Sequence, residues 1–235
     1  MTTTEQWESF WRAAPPAPGS VFWDAGPEHT VARQLPLFAP HFSAGLPVVD
    51  AGCGNGTQSV ILAAHFARVV GVDFSPAAIA RARELSDTGG AEFRVLDLTD
   101  AQAAAALHAE LGDVHVYMRG VLHQCTPEGR ARVAASLAVL LGARGRAFLV
   151  EPAVAAKDTL TELMRRPEGP PESLAAVFTH GLTPMEMDDA EVGVVCEAAG
   201  LAVFAAGREP LRTVEHGADG APVELPSQWL VVGKG

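Results

Sequence analysis

Cysteine is scarce, and its scatter already narrows the chemistry. Cys53, Cys125 and Cys196 are odd in number, far apart and form no CxxC pair. Neither a disulfide framework nor a zinc site is expected, and a reducing cytoplasm fits. No metal ligands are expected elsewhere, since Asp188 and Asp189 read as charges at a helix start. No run of Lys/Arg stands out, and 17 basic against 28 acidic residues leave a net charge of -11, which argues against nucleic acid as a partner. No stretch approaches ~18 uninterrupted apolar residues, so no membrane span is expected. The opening MTTTEQWESFW has no basic segment leading into an apolar run, so export is not expected either. With 48% hydrophobic and 19% charged residues over 235 positions, the chain suits one substantial globular α/β domain.

What is abundant is alternation. Five apolar runs, VVDAG, HFARVVGVDFS, AEFRVLDLT, DVHVYMRG and GRAFLVEPA, are separated by alanine-rich stretches. That rhythm predicts a parallel sheet with helices on both faces. Helices are expected over 57–65, 76–85, 101–111 and 127–141, with Pro76 and Pro127 in first turns behind Ser75 and Thr126 caps. Ahead of them, Trp7, Phe10 and Trp11 recur at helical spacing, and Pro15, Pro16 and Pro18 end that helix. Phe22 and Trp23 precede a second helix over 30–35, and Pro36, Pro40 and Pro47 punctuate the approach to the core. Pro167, Pro170, Pro171 and Pro184 break the rhythm across 154–187, which predicts an insertion overhanging the carboxyl ends of the strands, where open α/β sheets bind ligands. A helix over 188–199 and two strands, LAVFAAG and QWLVVGKG, joined by a polar link predict a terminal antiparallel hairpin. The expected organisation over 1–235 is a single domain: an N-terminal helical lid (1–45), a cofactor core (46–151), a substrate-cap insertion after the fifth strand (152–190) and a C-terminal helix and hairpin (191–235).

After the first strand, Asp50-Ala51-Gly52-Cys53-Gly54-Asn55-Gly56 sets three glycines where the backbone must turn tightly and admit a ligand. The helix that follows is expected to point free amides at a ligand carboxylate. The Gly52-x-Gly54-x-Gly56 spacing is not the G-x-G-x-x-G of a dinucleotide loop, although glycines alone leave the choice open. Two further strand ends decide it. Asp73, in GVDFS, can accept from both ribose hydroxyls, with Phe74 against an adenine face. Asp97, in RVLDLTD, together with the amide of Leu98, can read an adenine amino group and ring nitrogen.

Together VVDAGCGNGTQS, GVDFS, RVLDLTD and GDVHVYMRGVLHQ, covering about 45–125, resemble the successive cofactor motifs of class I, Rossmann-like S-adenosylmethionine-dependent methyltransferases of the small-molecule type. The resemblance implies a doubly wound seven-stranded sheet, mostly parallel with an antiparallel C-terminal strand. It implies S-adenosylmethionine as cofactor and S-adenosylhomocysteine as product. By position it places Asp50 and Gly52 at the methionine part, Asp73 at the ribose, Asp97 and Leu98 at adenine, and Arg119 and Gly120 on the floor of the transfer site, with Cys53, Gly54 and Phe74 as further cofactor contacts. The chain departs from the pattern at 117–123, YMRGVLH, where many amine-methylating members carry an Asn/Asp-Pro-Pro-Tyr/Phe motif. Methylation of an exocyclic base amine is therefore not expected.

Methyl transfer from a sulfonium is an in-line displacement that needs alignment, desolvation and, for an OH or NH acceptor, removal of a proton. His123, just past the fourth strand, is the first candidate base, or else it braces the next helix. Glu151, ending the fifth strand, either orients substrate or acts as base, or satisfies loop amides. Arg119 either fixes a substrate carboxylate or phenolate or pairs with Asp97 or Glu151. Phe22, Trp23 and His180 are candidate substrate contacts alongside His123, against plain packing for the aromatics. His115 reads as structural, and Cys53 as a small packed residue rather than a nucleophile. The expected activity is methyl transfer to oxygen, nitrogen or carbon of a small apolar or aromatic molecule, by a monomer or homodimer. The alternative is a protein that binds the cofactor without methylating, cyclase-like or regulatory.

Overall fold

The structure, a computed structural model, describes residues 2–17, 19–86 and 90–235; Pro18, read above as part of a helix stop, lies outside them. The five apolar runs form β1 (Val48–Ala51), β2 (Val69–Asp73), β3 (Glu92–Val95), β4 (His115–Arg119) and β5 (Arg146–Pro152), all parallel. Two later strands, β6 (Ala202–Arg208) and β9 (Ser227–Gly233), complete a seven-stranded sheet of order β3-β2-β1-β4-β5-β9-β6, in which β9 runs antiparallel to both neighbours. The order reverses between β1 and β4, and the crevice at such a switch point is where an open α/β sheet takes its ligand.

Period-two alternation along the strands feeds a core on each face. Val48, Tyr117, Phe148 and Val231 pack on one side, and Val49, Val116, Leu149 and Val232 on the other. The covering helices are α3 (Thr57–Ala63), α4 (Pro76–Ser86), α5 (Ala101–Leu111), α6 (Pro127–Leu141) and α9 (Glu191–Ala198). Both predicted caps form: Ser75 Oγ accepts from the Ala78 amide at 3.1 Å and Thr126 Oγ1 from Gly129 at 3.2 Å. His115 is structural, stacked on Phe42 at 4.3 Å and accepting from the Arg146 amide through Nδ1 at 3.0 Å.

Above the sheet the structure is more ordered than the sequence pattern predicts. The lid holds α1 (Thr3–Ala13), begun by a reciprocal Thr2–Glu5 capping box, and α2 (Val31–Phe38). Helix α2 runs past Pro36 because Val31 and Phe38 are fully buried, and their burial offsets the missing backbone bond. The insertion folds into α7 (Ala156–Met164) and α8 (Glu172–Thr179). The polar link between the last two sheet strands is itself a hairpin, β7 (Leu211–His216) with β8 (Pro222–Leu225), forming a second, two-stranded sheet. The terminal strands therefore pair as expected, but across an interposed hairpin. Leu211 and Thr213 alternate inward there, and the inward threonine keeps the run from reading as a strand.

Candidate active site

The ends of β1 to β4 open into a cavity of about 950 Å³, roofed by the lid, by α7 and α8, and by the small hairpin. Its floor is the glycine loop. Gly52, Gly54 and Gly56 have φ of 73°, 55° and 82°, which side-chain-bearing residues rarely adopt. A Cβ on Gly52 would lie 2.5 Å from Val121 Cγ2, and one on Gly54 would lie 2.7 Å from Trp11 Cζ2. The loop largely satisfies itself: Gly52 and Cys53 amides donate to the Val72 carbonyl at 2.8 and 3.0 Å, and the Gly54 amide donates to Asp73 Oδ2 at 3.0 Å.

At the α3 N-terminus, where the sequence predicted free amides awaiting a ligand carboxylate, the lid already supplies one. Asp24 Oδ2 accepts from Asn55 Nδ2 at 2.9 Å and from Thr57 Oγ1 at 3.3 Å, and Asn55 Oδ1 caps the Thr57 amide at 3.4 Å. Asp24 meets this end of α3 through side chains alone, and of the first-turn amides it is that of Thr57 that the Asn55 side chain takes.

Asp50, Asp73 and Asp97 all line this cavity. Asp50 is buried, and Ser59 Oγ donates to its Oδ2 at 2.6 Å. Burial pushes its carboxyl up to about 7, reinforced by the Asp73 charge and opposed by the Ser59 hydroxyl and the Arg119 cation. Asp73 accepts from the Ser75 amide at 2.9 Å as well as from Gly54, and burial raises its carboxyl to about 6 against those two bonds. Asp97 is exposed, with Oδ1 fixed by the amide and hydroxyl of Thr99, each at 2.8 Å. Phe74, Leu98 and Gly120 line the same cavity, as does Cys53, whose thiol burial holds far from ionisation.

The transfer end separates the catalytic candidates. Glu151 is 1% exposed and does not line the cavity. Its carboxylate accepts from the amides of Val121, Leu122 and His123 at 2.9, 2.8 and 3.2 Å, and from His123 Nδ1 at 2.7 Å. With four donors taken, it anchors the turn after β4 and orients His123 instead of meeting substrate. His123 lines the cavity, its Nε2 2.7 Å from the Gln124 side-chain amide. Arg119 also lines the cavity but pairs with neither Asp97 nor Glu151; its NH2 reaches only the Arg212 carbonyl at 3.5 Å, and its buried Nε has no partner. His180 is likewise corrected: it lies off the cavity, its Nδ1 2.9 Å from Ser9 Oγ and its ring against Phe10, so it ties α8 to the lid. Phe22 and Trp23 do line the cavity, with Trp7 and Trp11. Trp23 packs on Trp7 and Phe10 at 5.5 Å.

Three positions at or beside the cavity carried no sequence signal. Asp24 follows an aromatic pair without a motif. Gln58 sits just inside α3, lines the cavity and leaves a buried Oε1 unpartnered. Glu8 of α1 accepts from Ser75 Oγ at 2.6 Å and the Ala77 amide at 3.1 Å, docking the lid on the turn after Asp73. The cradle closed to any Cβ, the ribose-ready Asp73 and the orphaned polar atoms Gln58 Oε1 and Arg119 Nε fit a nucleoside cofactor with a zwitterionic tail. Among the described residues, no group of three or more His, Cys, Asp or Glu could hold a metal ion, and no helix is long and apolar enough to cross a membrane.

Comparison with known proteins agrees with this geometry. Residues 48–145 match the methyltransferase domain family. A ubiquinone biosynthesis O-methyltransferase of Azoarcus sp. is 36% identical over 95 residues, a match spanning 40% of this chain and 40% of that relative. The crystal structure of an S-adenosylmethionine-dependent methyltransferase from Anabaena variabilis superposes with a TM-score of 0.90 at 29% identity, covering 99% of this chain and 95% of that one. The fold is shared with magnesium protoporphyrin IX methyltransferase from Synechocystis, solved with bound S-adenosylhomocysteine, at TM-score 0.59 and 21% identity over 98% of this chain and 93% of that one. Residues 48–145 thus carry a methyltransferase domain, and the glycine cradle, the acidic strand ends and the sheet order give the whole chain the fold of class I, Rossmann-like S-adenosylmethionine-dependent methyltransferases.

Proposed function

We propose that the chain transfers a methyl group from S-adenosylmethionine to a small apolar or aromatic molecule, with oxygen as the favoured acceptor atom. The observation that carries this is the single cavity joining the acidic strand ends to an apolar roof that includes Trp7, Trp23, Leu160, Met164, Val177 and Phe178. When bound, the cofactor supplies a methyl group on a sulfonium. The residues then have to align the acceptor, exclude water and take up one proton. His123 suits the last task. Because Glu151 is an acceptor held by three backbone amides, the His123 proton sits on Nδ1, and Nε2 keeps the lone pair that accepts from the Gln124 side-chain amide. An acceptor hydroxyl replacing the Gln124 amide at Nε2 can hand over its proton there. Arg119 and Gly120 line the same cavity just before that turn. The O-methyltransferase relative supports oxygen as the acceptor atom.

The test uses isotopically methyl-labelled cofactor with a panel of apolar phenols, carboxylic acids and amines, after calorimetry with S-adenosylhomocysteine. Labelled phenol ether is the expected product, and His123→Ala lowers kcat by about 100-fold or more with product affinity unchanged. Absence of S-adenosylhomocysteine binding sinks the proposal. Binding without methylation of any acceptor favours the non-methylating alternative.

A further inference from the structure

Among the largest fully buried side chains of the described residues, Arg130 alone carries a charge, and it does not line the cavity. Its place is doubly unfavourable for a cation. Burial strips an ion of water, and the first turn of α6 is the end of a helix that disfavours positive charge. Packing does not ask for it either, since an apolar side chain of similar volume holds a core as well as a buried ion pair does. What a guanidinium adds is direction, with its N–H groups fixed in one plane.

All three of its nitrogens are engaged, and they reach three separate parts of the chain. Nε donates to the Leu122 carbonyl at 3.1 Å, NH2 to the Glu186 carbonyl at 2.7 Å, and NH1 to the Glu191 carboxylate at the start of α9. Leu122 belongs to the turn after β4 that presents His123, and Glu186 to the irregular stretch that walls the cavity with Met185 and Met187. That stretch meets the same turn once more, where the Met185 amide donates to the His123 carbonyl at 2.8 Å. Among the described residues, 183–187 make no hydrogen bond beyond these two. The turn is thus held from two sides: the Glu151 carboxylate takes its amides, and the Arg130 cation takes the Leu122 carbonyl.

We propose that Arg130 is a positioning residue for methyl transfer: it fixes the carbonyl side of the turn that carries His123 and, through the Glu186 carbonyl, ties the cavity wall 183–187 to that turn, so that base and acceptor wall keep one register. This rests on His123 being the base. Arg130 itself touches neither cofactor nor acceptor.

Amide hydrogen exchange on the intact protein, read beside turnover, tests it. In Arg130→Met, exchange in 121–125 and in 183–187 rises together by about 10-fold or more, as for loss of hydrogen bonds to a charged group, while β4 and β5 exchange as in the wild type. With the acceptor found by methyl-labelled cofactor, kcat falls about 10-fold or more and the acceptor KM rises, whereas calorimetric affinity for S-adenosylhomocysteine stays within about twofold. Arg130→Lys, a point charge without the planar fork, restores part of the protection. Glu191→Gln alters the one partner that is 29% exposed, raises exchange in the same two segments by a smaller factor, and carries the test if Arg130→Met does not fold. Exchange that rises evenly through α6 and the sheet marks a merely structural residue and overturns the proposal. Loosening of one segment without the other overturns it too, as does loosening of both with kcat unchanged. A wild type that methylates no acceptor removes His123 as base and the catalytic half of the proposal with it, a result the exchange pattern keeps distinct from the absence of the tie itself.

Discussion

The floor and the roof of the cavity are built on different principles. The floor is backbone: glycines in left-handed turns, amides donating to a neighbouring strand's carbonyl, and carboxylates fixed at strand ends. The roof is side chain on side chain: tryptophans edge to face, Ser9 on His180, Glu8 on the α4 cap, and a two-stranded hairpin laid over the mouth. Backbone geometry leaves a mark in the residue types that can adopt it, whereas packing accepts many residues of suitable size. The floor therefore tolerates little change, and the roof can vary with the substrate.

The largest expected effect sharpens that contrast at the floor's edge. Glu151→Ala strands three backbone amides and the His123 ring, and is expected to lower stability by about 3 kcal/mol or more in denaturant unfolding. Glu151→Gln keeps the shape, recovers most of the stability and still lowers kcat through the altered histidine tautomer. Next, Gly52→Ala strains a φ of 73° and drives a methyl into Val121. It is expected to cost about 1–3 kcal/mol and to weaken S-adenosylhomocysteine more than tenfold by calorimetry. Unchanged affinity in that variant would break the distinction between a rigid floor and an adaptable roof.

The buried acids give a smaller, pH-dependent effect. The Asp50 carboxyl is raised to about 7 in the folded chain from an ordinary value of 3.8, so the folded form holds a proton that the unfolded form has already released. Stability therefore falls as pH rises from about 4 to about 7 and levels off above. Asp50→Asn escapes this and is expected to raise the melting temperature of the unliganded protein at pH 8 by about 3 °C or more, with the gain gone near pH 4. The smallest effect is at the roof: His180→Ala cuts one lid tie and is expected to cost about 0.5–1 kcal/mol in unfolding, with S-adenosylhomocysteine affinity unchanged and the KM of the acceptor raised.

Legibility followed the same division. Asp50, Asp73 and Asp97 stood out because each lies in or just past an apolar run and the glycine loop follows the first of them. The number of strands came with the family pattern, while the antiparallel pairing of the last two was also readable from the two apolar runs and their polar link. The hairpin over the mouth was not readable, since Arg212, Thr213 and Glu215 mask a strand whose buried face is only Leu211 and Thr213. Glu151 stood between two readings because a carboxylate that collects backbone amides looks, in one dimension, like one that awaits a substrate. Asp24 and Gln58 take their meaning from neighbours distant in sequence, 31 residues away in the Asp24–Asn55 bond, and no local spacing announces that.

Trp11 rests where a Cβ on Gly54 would be, and His180 closes over the same helix from the other side. During synthesis the aromatic stripe of residues 7–11 emerges long before either partner exists. It stays an unburied, sticky segment until the glycine turn has formed and the chain beyond position 180 has been made. Helix α1, made ahead of both its partners, thus finds its place only after them, and the moment it does so reports that floor and roof have both been assembled.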